Sequence, residues 1–143
     1  MKSLSVKCVV IFIELLMFGY AEARGADWKS FFSPVSGTVS YDAQSITQGS
    51  ENTFRVWTRQ YLTDKGKTDM VARLGTTIQN VHYTMSAMEI NCENKTVRTL
   101  GMYFYSTEGT LLNSVNVPEE KLVWDYIAPD TLSDALFKRV CDK

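Results

Sequence analysis

From Asn52 to Tyr61 the chain reads NTFRVWTRQY, with cations and aromatics recurring at every second position. Side chains of an extended strand alternate between faces. Arg55, Trp57, Arg59 and Tyr61 therefore share one side, and Phe54, Val56 and Thr58 the other. VHYTMSAMEINC repeats the period: Val81, Tyr83, Met85, Ala87 and Glu89 oppose His82, Thr84, Ser86, Met88 and Ile90. Trp28 to Ile46 reads as strand, turn and strand, broken at SPVSG by Pro34 and Gly37. Polar DAQSITQGSEN links that pair to the NTFRVWTRQY strand. LGMYFYSTEGTLLNSVNV predicts two strands joined at STEG, where Gly109 is free to take positive φ. A tight polar turn is expected at Glu93–Lys95, and Pro118 with the following EEK ends the hairpin.

Two stretches lack the alternation. Thr63 to Asp69, TDKGKTD, is charged around Gly66 and reads as a solvated loop, while Met70 to Thr77 fits either a poor helix or an irregular crossover. After the short apolar run LVWDYI the period changes: Leu132, Leu136, Phe137 and Val140 recur at helical spacing. Asp130 and Thr131, with Asp134 three residues beyond the threonine, suit a capped helix start, and Lys138, Arg139 and Lys143 suit its C-terminal end. Hairpin-linked strands followed by one helix predict an α+β fold, an antiparallel sheet of about six strands with a C-terminal α-helix packed on one face.

Length and charge narrow the reading. At 143 residues the chain suits one domain with a real core. A net charge of −1 argues against nucleic acid or an anionic membrane as the bulk partner. MKSLSVK, the apolar run from Cys8 to Tyr20 and the small, polar AEARGAD have the three regions of a secretory signal peptide. Ala21 and Ala23 place the expected cleavage before Arg24, so residues 1–23 form the signal and 24–143 the domain. The apolar run is shorter than the roughly 20 residues a membrane span needs, and it contains Glu14. Cys8 lacks a lipidation context, since Lys7 precedes it and the apolar run follows. Removing the signal leaves Cys92 and Cys141, an even pair that reads as a disulfide in an exported chain.

No catalytic motif is visible. His82 is the sole histidine and lies in an alternating stretch. The pairs Glu89 with Glu93 and Glu119 with Glu120 read as solvated charges rather than an acid and base. Two cysteines and one histidine do not complete a four-ligand zinc site. No metal or cofactor is expected, and the protein is read as a non-enzyme. Asn94–Thr96 matches a glycosylation acceptor pattern, a short signal that carries no functional expectation alone. Aromatics are the outstanding feature. Rings bury large areas at small entropic cost, so they favour interfaces and glycan stacking as well as cores. Trp28 and Trp124 read more readily as core, and Trp57 stands evenly between the two roles. The expected arrangement is a partly buried Trp57 flanked by exposed Arg55 and Arg59.

GTVSYDAQSI, FRVWTRQY, EINC, GMYFYSTEGTLLNS and IAPDTLSDALFKRVC follow in an order that resembles the surface-adhesin protein E family of small exported bacterial proteins. The resemblance rests on Trp28, Tyr41, Asp42, Ser45, Ile46, Val56, Trp57, Asn91, Cys92, Tyr105, Gly109, Trp124, Pro129 and Cys141. It covers nearly all of the chain after the signal. It implies an antiparallel sheet with a C-terminal helix, a Cys92–Cys141 disulfide and dimerisation. By function it implies a binding module of the periplasm or cell surface, with host matrix or serum proteins as partners. The alternative is a structural or accessory subunit of an envelope complex. The candidate binding face is Arg55, Trp57, Arg59 and Tyr61.

Overall fold

The computed structural model describes residues 25–142. The expected signal peptide and its cleavage point lie outside them. Eight strands and two helices run in the order β1 (Trp28–Phe32), β2 (Gly37–Asp42), β3 (Thr47–Gln48), β4 (Thr53–Leu62), α1 (Asp64–Leu74), β5 (Tyr83–Asn91), β6 (Thr96–Tyr105), β7 (Leu111–Asn116), β8 (Asp125–Tyr126) and α2 (Leu132–Cys141). The strands form one antiparallel sheet in the order β1-β2-β4-β5-β6-β7, with β3 added to β4 and β8 to β6. Most sheet neighbours are thus chain neighbours, as short unthreaded connections favour; the β2–β4 and β6–β8 pairings each skip one strand.

Period two decides what each strand buries. Val56, Met88, Ile90 and Val97 lie under α2, where Leu136 and Val140 complete a cluster with Ile127. Leu62, Ile78, Val81 and Phe104 form a second cluster against Met70 and Val71 of α1. Both helices therefore cover one face of the sheet. Each fully buried aliphatic or aromatic side chain there contributes about 1.5–3 kcal/mol relative to exposure.

The start of α2 is capped as expected: the Thr131 hydroxyl accepts from the backbone N–H of Asp134 at 3.2 Å. The Asp134 carboxylate reaches back to the N–H of Asp130 at 3.3 Å and receives the Lys138 ammonium at 2.8 Å. Cys92, just after β5, is bonded to Cys141 in the last turn of α2, with Cα atoms 5.7 Å apart. The disulfide ties the helix to the strand it packs on.

Helix α1 corrects the expected solvated loop over Thr63–Asp69. Thr63 caps it by accepting from the N–H of Gly66 at 3.2 Å, and Gly75 ends it with φ of 93°. Gly66 is buried because the helix presses on the β1–β2 turn. A Cβ there would stand 2.1 Å from the Ser36 carbonyl oxygen. Gly66 is a close-packing position rather than a loop signal. The ambiguity over Met70–Thr77 resolves into the end of α1 and a 3-10 turn over Thr76–Ile78.

The pairing of β5 with β6 contains a bulge. Ala87 pairs with Gly101 but Met88 pairs with Thr99, so Leu100 is an extra residue in β6. This insertion shifts the alternation of β6 by one. It turns Val97 into the core and sets Arg98 opposite Glu89 on the other face.

Candidate functional site

The face away from the helices carries Arg55, Trp57, Arg59 and Tyr61 of β4. Cross-strand register adds Glu89, Ala87, Met85 and Tyr83 of β5, then Arg98, Gly101, Tyr103 and Tyr105 of β6. On the far side Ser40 of β2 pairs with Arg59, and Ser30 of β1 pairs with Ser40. Among the described residues no helix covers this face. Its large side chains are covered by one another.

Small residues shape the centre. Trp57 faces Ala87, and Ala87 faces Gly101, so no bulky neighbour props the indole. The ring meets Tyr103 instead, with centroids 5.6 Å apart, and stays half-buried. Toward the end of the strands the rings form a row. Tyr61 lies 5.4 Å from Tyr83, and Tyr83 stacks on Tyr105 at 4.9 Å. His82 packs edge-on against Tyr61 at 5.7 Å. Burial pushes the Tyr83 phenol above its ordinary pKa, and the phenols of Tyr105 and Tyr61 push it the same way; the Arg59 charge opposes them with smaller effect.

The three arginines of the face are held differently. Arg55 donates to Glu89 at 2.8 Å, and Arg98 donates to the other oxygen of the same carboxylate at 2.6 Å. Burial raises the Glu89 pKa, but the hydrogen bonds and charges of the two arginines outweigh it and hold the carboxyl below its usual range. The Arg98 guanidinium also lies 4.5 Å from the centre of the Trp124 ring. Among the described residues no carboxylate pairs with Arg59 in this way. The Arg59 guanidinium lies 4.2 Å from the centre of the Trp28 ring and 4.8 Å from that of Tyr61, within the roughly 6 Å of a cation–π contact.

These positions revise two expectations. Arg55 is exposed, whereas Arg59 is half-buried, and the rings it touches are Trp28 and Tyr61 rather than Trp57. Trp28 and Trp124 are not core residues: Trp28 is half-buried beside Arg59, and Trp124 is 36% exposed beside Arg98. The remaining candidates for chemistry are dispersed. Glu93 accepts from the Asn52 amide at 3.2 Å and stands apart from Glu89's arginines. Glu119 and Glu120 lie on an exposed 3-10 turn. Among the described residues no cluster of histidine, cysteine and carboxylate side chains could hold a metal ion.

A model of the surface-adhesin protein E family matches residues 28–142. The chain belongs to this family. Solved structures show the same fold. The chain is similar to Haemophilus influenzae protein E at a TM-score of 0.57 and 14% identity, over 86% of this chain and 89% of that one. For crystal form II of the same protein the values are 0.53 and 12%, over 86% and 92%. For protein E from non-typeable Haemophilus influenzae they are 0.52 and 12%, over 86% and 82%. No curated protein matches the chain. The antiparallel sheet and C-terminal helix are those of the adhesin E fold. Among the described residues no helix is long and apolar enough to cross a membrane.

Proposed function

We propose that this adhesin E family member is an exported, non-enzymatic binding module that adheres to other proteins through its uncovered sheet face. The observation that carries the reading is the concentration of Trp57, Tyr61, Trp28 and Tyr103 with three arginines on the one face that neither helix covers. Tryptophan, tyrosine and arginine are the residues that dominate binding energy at protein interfaces. Rings held half-buried by their neighbours lose little further freedom on binding. The family membership supports a role outside the cytoplasm and partners among host matrix or serum proteins. The disulfide supports an oxidising compartment.

The test compares binding of the purified protein to immobilised matrix and serum proteins with its recovery of partners from bacterial envelope extracts. Saturable binding to a matrix or serum protein, abolished by substitutions on the uncovered face, is the expected result. Binding confined to an envelope protein would make the chain an accessory subunit instead.

A further inference from the structure

Arg59 differs from the other two arginines of its face in what its donors do. Arg55 and Arg98 share Glu89. Asp42, at the end of β2, spends an oxygen on the backbone N–H groups of Asp27 and Gln44 at 2.8 and 3.0 Å. Among the described residues no carboxylate forms an ion pair with Arg59, and its Nε is buried without a hydrogen-bond partner. A buried donor left without an acceptor is unfavourable and rare in folded proteins. The guanidinium is nevertheless held in place, over the rings of Trp28 and Tyr61. Stacking fixes the plane of the fork while occupying none of its N–H groups.

We infer that Arg59, framed by Trp28 and Tyr61, is a carboxylate-reading slot that takes a glutamate or aspartate side chain of a protein partner. The inference rests on the uncovered face being the adhesive one and names the chemistry that face selects. Charge complementarity requires an anion. The buried Nε is closed to a partner, so the two parallel hydrogen bonds that match a planar carboxylate come from the terminal nitrogens of the fork. The apolar rims of Trp28 and Tyr61 suit a peptide whose acidic residue is flanked by apolar side chains. A sulfated polysaccharide is a poorer fit, because polyanions are held by the summed field of many cations. Here Glu89 already compensates part of the charge of Arg55 and Arg98, and the chain as a whole carries −1.

The experiment uses immobilised synthetic peptides with one glutamate between leucines and phenylalanines, each beside its glutamine counterpart, with heparin as a separate probe. Wild-type protein is expected to prefer the glutamate peptides by about tenfold, as a charge-assisted bidentate pair does over a neutral one. Arg59→Lys keeps the charge but not the fork and should lose most of that preference, as should Arg59→Ala. Arg73→Ala, an exposed arginine of α1 off this face, should retain it. Equal binding of both peptide sets, an undiminished preference in Arg59→Lys, or binding to heparin alone would overturn the slot. The same variants are tested on the matrix and serum proteins. If wild type binds one of these and Arg59→Ala binds it equally well, the slot fails while the adhesive face stands. If no such protein binds, the adhesive reading fails, and the peptide preference still decides Arg59.

Discussion

Under α2, Val56, Met88 and Ile90 are sealed by Leu136 and Val140. One position along the same strands, Trp57, Ala87 and Glu89 face outward with no covering element among the described residues. The two faces share backbone and register but solve burial in different ways. The helix side is apolar and closed, so its side chains contribute through exclusion of water. The outer side is built from rings and guanidinium groups that lean on each other, with a single carboxylate bridging two arginines. Such a surface is partly dehydrated and rigid without being covered. That combination suits recognition better than it suits stability. The sheet is a two-sided object whose alternation separates a face closed by the helices from the uncovered face on which binding is proposed.

The sharpest break in this comparison is a cavity under the helices. Phe104→Ala, at a position 1% exposed, is expected to cost about 3–5 kcal/mol in urea denaturation. Truncating the half-buried Trp57 should cost clearly less. Equal losses would mean that the outer face is as closed as the inner one. Next comes the staple on the helix side. Removing the Cys92–Cys141 bond should lower stability by up to about 4 kcal/mol on the chain-entropy account. Amide exchange should show α2 loosening first while β4 and β5 stay protected.

A smaller effect is expected on the outer face, and it is pH-dependent. The folded-state pKa of Glu89 is lowered, so its stabilising contribution is present above the ordinary carboxylate value of about 4.3. It is lost as pH falls through the lowered folded value. Glu89→Gln should therefore cost about 1–3 kcal/mol at neutral pH, and the gap to wild type should close in acid. Thermal denaturation of both proteins from pH 7 to pH 2 measures it. A gap that is constant across that range would contradict the shared ion pair.

Much of this division is legible in the chain itself. Alternation in NTFRVWTRQY separates Arg55, Trp57, Arg59 and Tyr61 from Val56 and Thr58 without any tertiary information. The helical period of Leu132, Leu136 and Val140 and the even cysteine pair are equally local signals. Helix α1 is not legible, because Gly66 and the charges around it imitate a loop. What holds that helix is the close approach of Gly66 to Ser36 and the packing of Met70 and Val71 on Leu62 and Phe104, contacts that no local pattern reports. The company kept by Arg59 is hidden for a similar reason. Trp28 precedes it by 31 positions and reaches it through the register of two further strand pairings. Arg98 meets Glu89 because of the extra residue at Leu100; unbroken pairing would have set it opposite Ile90.

The central claim, that the uncovered face is where partners bind, is tested most directly at Trp57. A variant with Trp28→Phe and Trp124→Phe leaves this indole as the sole tryptophan of the folded domain, and its quenching by acrylamide is followed with and without a bound matrix or serum protein. The account predicts partial quencher access in the free monomer and a marked loss of access when the partner binds. A ring already fully protected in the free monomer, or access unchanged by a saturating partner, would contradict it.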